Sequence, residues 1–154
     1  MIKIEFEEDY SNHYKITYDI LRSLPSWFGI ESSVIEYCNA SKKLPMVVIW
    51  DDDEYIGFCS IKIHYNVNVE LAVLGILPNH RNKGLGKKMF RFIESHYKEK
   101  AYEFLTVKTL SEASSDEGYR ATREFYKSCG FIPFEEFKEL WDKENPCLYM
   151  IKKI

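Results

Sequence analysis

Two glycines and a cluster of cations fall within eight consecutive residues, Arg81-Asn82-Lys83-Gly84-Leu85-Gly86-Lys87-Lys88. The run follows an apolar stretch, Val67 to Leu77, and a proline, Pro78. It precedes Leu85, Met89, Phe92, Ile93 and His96, which recur at helical spacing with Lys87, Lys88, Arg91, Glu94 and Lys98 on the opposite face. A helix therefore opens at the glycines. The first turn of a helix carries N–H groups without intrahelical partners and the positive end of the dipole. Glycines let an anion approach that backbone without a Cβ in the way. A diphosphate fits this chemistry. Glu70 is the only charged residue between Val67 and Leu77. Burial in an apolar strand favours proton uptake by a carboxylate, which would suit Glu70 to proton transfer; a strand-end carboxylate in solvent or in a salt bridge is the other reading.

Two familiar phosphate loops are excluded. A Walker A loop requires Gly-x-x-x-x-Gly-Lys-[Ser/Thr], but Arg81 stands five before Gly86 and Lys88 follows Lys87. A dinucleotide loop requires Gly-x-Gly-x-x-Gly, but its third position is Met89.

The elements that must position these groups follow from patterning. Ile2 to Phe6 alternates as a short strand. Ile16, Ile20, Leu21 and Leu24 give a helix over about 11–24, stopped by Pro25, and a second helix runs over about 32–41. Pro45 to Trp50 and Tyr55 to Tyr65 form a hairpin about the acidic turn Asp51-Asp52-Asp53-Glu54, the second strand alternating Ile61, Ile63 and Tyr65 against Ser60, Lys62 and His64. Val67 to Leu77, apolar on both faces, reads as a central strand. Beyond the Leu85 helix come a strand from Phe104 to Thr109, a helix from Gly118 to Cys129 capped by Gly130, and strands at Phe131–Phe137 and Cys147–Ile151. The order implies a mixed α/β (α+β) domain spanning 1–154, with about seven strands and about four helices. Parallel pairing is expected in the middle of the sheet and antiparallel pairing at its edges.

Composition narrows the class. Apolar residues make up 45% and aromatics 16% of the 154 residues, enough for a core and contrary to disorder. The net charge of −3 is opposite to the usual balance of nucleic-acid binders, so the basic loop implies a small polyanion. No secretory signal and no apolar run near the ~20 residues of a membrane helix is seen. Cys38, Cys59, Cys129 and Cys147 lack the pairing of a zinc site or disulfide framework. A cytoplasmic protein with reduced thiols and no metal is expected.

Arg81-x-x-Gly84-x-Gly86, directly after a long apolar strand, resembles the Gln/Arg-x-x-Gly-x-Gly/Ala signature of the GNAT family of N-acetyltransferases. Phe125-Tyr126-Lys127-Ser128-Cys129-Gly130-Phe131 resembles that family's late Tyr-x-x-x-Gly-Phe junction, and the element order is similar along essentially the whole chain. The resemblance implies the acyl-CoA N-acyltransferase fold and direct transfer from acetyl-CoA to a primary amine of a small molecule or peptide in a ternary complex. It implies that Arg81, Asn82, Lys83, Gly84, Leu85, Gly86 and Lys87 hold the diphosphate. Leu74, Gly75 and Ile76 would present backbone groups to the acetyl and pantetheine portions, Gly75 being compatible with a β-bulge that splays two parallel strands. Tyr126 would protonate the departing thiolate. Glu70 lies where family glutamates act as base, with His64, His80 and ordered water as weaker alternatives. Cys129 reads as packing.

The acceptor is less legible. Trp27 and Phe28, beside Gly29, lie in the turn that covers the acceptor in this family and are expected to form an exposed apolar rim or to staple the two helices. Tyr119, with Asp116 and Glu117, is a candidate to steer an amine or to cap its helix. The family often dimerises through late strands, so a homodimer is an expectation. A non-catalytic acyl-CoA-binding sensor on the same fold, and a nucleotide- or nucleic-acid-binding domain, are the alternatives. No nucleic acid or membrane partner is expected.

Overall fold

The computed structural model describes residues 1–113 and 117–154. Asp116 and the side chain of Glu117 lie outside the described residues. Seven strands form a mixed sheet: β1 (Ile2–Phe6), β2 (Met46–Asp51), β3 (Glu54–His64), β4 (Asn68–Ile76), β5 (Phe104–Leu110), β6 (Ile132–Asp142) and β7 (Asn145–Lys153), in the order β1-β2-β3-β4-β5-β7-β6. Among the described residues there are four α-helices: α1 (His13–Arg22), α2 (Glu31–Ser41), α3 (Leu85–Glu99) and α4 (Glu117–Ser128). The expected class and element order are those observed. The chain forms two compact units, Met1–Lys62 with Leu71–His96, and Ile63–Glu70 with Tyr97–Ile154.

In the first unit, α1 buries Ile16, Ile20 and Leu21, with Leu24 just beyond, against Val34 and Cys38 of α2 and Met46, Val48 and Phe58 of the sheet. Each such side chain contributes about 1.5–3 kcal/mol on burial. That outweighs the ≲0.7 kcal/mol by which branched residues disfavour a helix. The helix is shorter than the pattern predicts. A 3₁₀ turn at Tyr10–Asn12 occupies its entry, with the Asp9 carboxylate accepting from the Ser11 N–H. β2 pairs antiparallel with β1 and with β3. The alternation read into β3 is not observed, because every residue from Ile56 to Ile61 is buried, Ser60 included. Tyr65 leaves the strand at φ +55° and is almost wholly exposed.

Gly75 shows what its missing side chain is for. A Cβ there would sit 2.8 Å from Leu24 Cδ1 and 3.2 Å from Ile20 Cγ2. Gly75 therefore lets the last turn of α1 close onto β4.

In the second unit, β4 pairs parallel with β5 through Asn68↔Phe104, Val69↔Leu105 and Glu70↔Thr106. β5 pairs antiparallel with β7 along its whole length, and β7 with β6. The last two strands are longer than the pattern predicts and close as a hairpin. The Asp142 carboxylate accepts from the N–H groups of Glu144 and Asn145, which turns the chain without glycine. α4 ends in a Schellman motif, with Gly130 at φ +98°, the Gly130 N–H on the Lys127 carbonyl and the Phe131 N–H on the Tyr126 carbonyl. On its inner face Arg123 is 5% exposed and donates Nη1 to the carbonyls of Leu110 and Ser111 at 2.8 and 3.1 Å. That guanidinium pins the end of β5 to α4.

Gly75→Ala is expected to lower unfolding free energy by about 1–3 kcal/mol, because Leu24 and Ile20 are held in the core and have little room to withdraw. Urea denaturation of the two proteins checks this. An unchanged midpoint would show that α1 accommodates the methyl group.

Candidate active site

The cationic loop lies in the first unit. After β4, a 3₁₀ turn at Pro78–His80 leads into Arg81. Asn82 and Gly84 adopt positive φ, +61° and +75°. A Cβ at Gly84 would meet nothing within 4 Å, so the loop is open above that glycine. Asn82, Lys83 and Gly84 are exposed, whereas Leu85 and Gly86 are buried at the start of α3. The Lys88 N–H donates to the Gly84 carbonyl at 3.1 Å. The amides of Leu85, Gly86 and Lys87 thus precede the first bond of the helical ladder, as an anion site requires.

Arg81 is held on two sides. Its guanidinium carbon lies 4.2 Å from the centroid of the Trp27 ring, and its Nε donates to the Ile76 carbonyl at 3.5 Å. Trp27, a candidate acceptor residue, is thereby brought to Arg81, a candidate cofactor residue. Trp27 and Phe28 are half-buried and pack on the α1–α2 core, rather than standing exposed. Phe28 meets Tyr37 edge-on at 6.0 Å. Leu74 and Ile76 are half-buried and Gly75 is buried.

The titratable groups gather in the second unit. Glu70 is 7% exposed and both its oxygens are engaged. Oε1 lies 2.8 Å from His64 Nε2, and Oε2 lies 3.4 Å from Lys108 Nζ. Lys108 Nζ also stands 5.9 Å from the centroid of the Tyr149 ring. Behind this trio, Thr106 Oγ1 donates to Asn68 Oδ1 at 2.7 Å, and Asn68 Nδ2 donates to the Tyr149 hydroxyl at 2.9 Å. The groups line a cleft of about 600 Å³. Val67, Phe137, Leu140 and Tyr149 give it apolar walls.

Lys108, Tyr149 and the pairing of His64 escaped the sequence reading. The signal lies in register. Thr106 is opposite Glu70, so Lys108, two residues on, shares its side of β5. His80 is half-buried in its 3₁₀ turn. Tyr126 is 6% exposed, with its ring 6.0 Å from that of Phe131 in an edge-on contact. Tyr119 is half-buried in the first turn of α4.

All four cysteines are free. Burial pushes the thiols of Cys38 and Cys147 up to about 11 and raises that of Cys59 further, so these three are protonated near neutrality. Cys129 is half-buried. Among the described residues no group of three His, Cys, Asp or Glu could hold a metal ion, and no helix is long and apolar enough to cross a membrane.

Comparison with known proteins places this geometry. The family model for the acetyltransferase (GNAT) domain matches residues 42–133, more than half of the chain. The chain is 28% identical over 105 residues to the uncharacterized N-acetyltransferase YsnE of Bacillus subtilis (strain 168), covering 68% of this chain and 66% of that one, just under two thirds. Its fold is similar to that of a GNAT-family protein from Desulfovibrio desulfuricans, with a TM-score of 0.81 at 14% identity over 99% of each chain. It is also similar to a GNAT-family acetyltransferase from Elizabethkingia anophelis solved with acetyl-CoA bound, with a TM-score of 0.75 at 16% identity over 99% of this chain and 98% of that one. The structural likenesses speak to the fold, and the family match carries the assignment: the chain belongs to the GNAT acetyltransferase family.

Proposed function

We propose that the chain moves the acetyl group of acetyl-CoA directly, in a ternary complex, onto a primary amine of a small molecule or peptide, with Glu70 as base and Tyr126 as acid. The observation that carries this reading is a buried carboxylate with a histidine at 2.8 Å inside a cleft that Val67, Phe137, Leu140 and Tyr149 help to wall. An alkylammonium has a pKa of ~10.4 and must lose a proton before it attacks. Glu70 accepts that proton, and His64, with its side chain 32% exposed, offers a path from Glu70 to solvent. The amine nitrogen then bonds to the thioester carbonyl carbon. Backbone N–H groups of Leu74–Ile76 are the candidate donors to the oxyanion. The C–S bond breaks as the amide forms: the thiolate takes the Tyr126 hydroxyl proton, the second proton of the attacking nitrogen leaves to solvent, and the Tyr126 phenolate is reprotonated from solvent.

The open loop supports the cofactor half of the proposal. Arg81, Lys83 and Lys87 supply charge, and the amides from Gly84 to Lys87, with Asn82, supply donors for a diphosphate. Trp27, Phe28 and Tyr119 are the candidate acceptor contacts on the α1–α2 turn and on α4. A homodimer through β6 is supported by Ile132, Phe134, Leu140 and Trp141, which are all largely exposed on an edge strand.

Glu70→Gln is expected to lower kcat by roughly 10²–10⁴-fold, measured as thiol release from acetyl-CoA across an amine screen. Tyr126→Phe is expected to lower kcat by at least about 10-fold while the Kd for CoA moves much less. Unchanged turnover in either variant removes that residue from the mechanism. Thiol release that never depends on an added amine would favour a non-catalytic acyl-CoA sensor. Gly84→Val places a branched residue at φ +75° and a side chain over the open loop. The Kd for CoA, read by calorimetry, is expected to rise at least about tenfold, with a stability loss of ~1–2 kcal/mol. Sedimentation equilibrium is expected to return twice the monomer mass, and Phe134→Glu is expected to return the monomer mass.

A further inference from the structure

The cleft around Glu70 carries its own cation. Lys108 Nζ lies 3.4 Å from Glu70 Oε2. His64 covers the other oxygen. With His64 neutral, the charges of Glu70 and Lys108 cancel, and no further acid lines the cleft among the described residues. A polyamine or any acceptor with a second cation beside its amine meets Lys108 and finds no surplus negative charge to hold it. An acceptor with an anion beside its amine finds the opposite: its amine is directed to Glu70 and its anion to Lys108, two groups only 3.4 Å apart. Groups that close suit an amine and a carboxylate on the same carbon.

The walls select the rest of the molecule. Tyr149, whose hydroxyl accepts from Asn68, adds its ring to the wall, and Asn68 is held in turn by Thr106. Val67, Phe137 and Leu140 complete an apolar surface. We infer that the acceptor is an α-amino acid with an apolar side chain, and that Lys108 is the specificity-determining residue that binds its carboxylate. The inference rests on the reading of Glu70 as the base at the acceptor site.

The test compares phenylalanine, phenethylamine and spermidine as acceptors, following thiol release at saturating acetyl-CoA. Phenethylamine keeps the amine and ring of phenylalanine and lacks only the carboxylate. For the wild-type protein, kcat/KM for phenylalanine is expected to exceed that for phenethylamine by about 10–100-fold, with spermidine lowest. Lys108→Met should bring phenylalanine and phenethylamine to within a few-fold of each other, and Lys108→Glu should place spermidine above phenylalanine. Equilibrium binding of phenylalanine and phenethylamine to the CoA-loaded protein is measured alongside, with the same preference expected. The inference is overturned if the wild type uses or binds phenethylamine or spermidine as well as phenylalanine, or if the ratio persists in a folded Lys108→Met protein. Failure of the base reading looks different: Glu70→Gln would keep full turnover while the wild-type preference for phenylalanine stood.

Discussion

A carboxylate withdrawn from water survives in a fold only when its charge is met, and Glu70 is met twice, by His64 and by Lys108. This requirement ties three segments of the second unit together. The carboxylate comes from the first residues of β4, the imidazole from the end of β3, and the ammonium from β5. The parallel register that sets Glu70 opposite Thr106 is what carries Lys108 to the carboxylate. A slip of one residue would turn Lys108 to the other face and leave a buried charge with one partner fewer. Asn68, Thr106 and Tyr149 extend the same logic outward, Thr106 donating to Asn68 and Asn68 to Tyr149.

The cationic loop and the Glu70 cleft use different physics. The loop between β4 and α3 relies on backbone: positive-φ residues at Asn82 and Gly84 and helix-start amides that precede the hydrogen-bonded ladder. It offers charge and room. The Glu70 cleft relies on side chains whose charges are balanced before anything binds.

How much of this was legible in the sequence depended on how local the cause was. The glycines and cations of the loop sit within eight residues, and the helix stripe beginning at Leu85 follows directly, so both were readable. The Gly130 cap was equally local. Lys108 was not readable, because a lysine in a strand is ordinary until the register names its neighbour. Arg123 was missed for the same reason, its two carbonyl partners lying in another element. The β6–β7 hairpin ran past its predicted ends because Asp142 turns the chain with its carboxylate, a device without the glycine that usually marks a turn. For Trp27 and Phe28 the sequence leaves open an exposed rim or a staple between the two helices, and their packing on the α1–α2 core is that of the staple. Gly75 is compatible from the sequence with a bulge or with simple relief of crowding, and its closeness to Leu24 and Ile20 supports the second.

The stacking of Arg81 on Trp27 has a consequence for how the loop meets an anion. A guanidinium has two faces and a rim, and an indole engages only a face. The donors around the rim keep their directions in the plane and can still form a fork toward two oxygens. The stack also restricts a long side chain that would otherwise sample many rotamers, so less conformational freedom remains to be lost on arrival of the anion. The turn between α1 and α2 thereby sets the direction of a side chain more than fifty positions further along the chain.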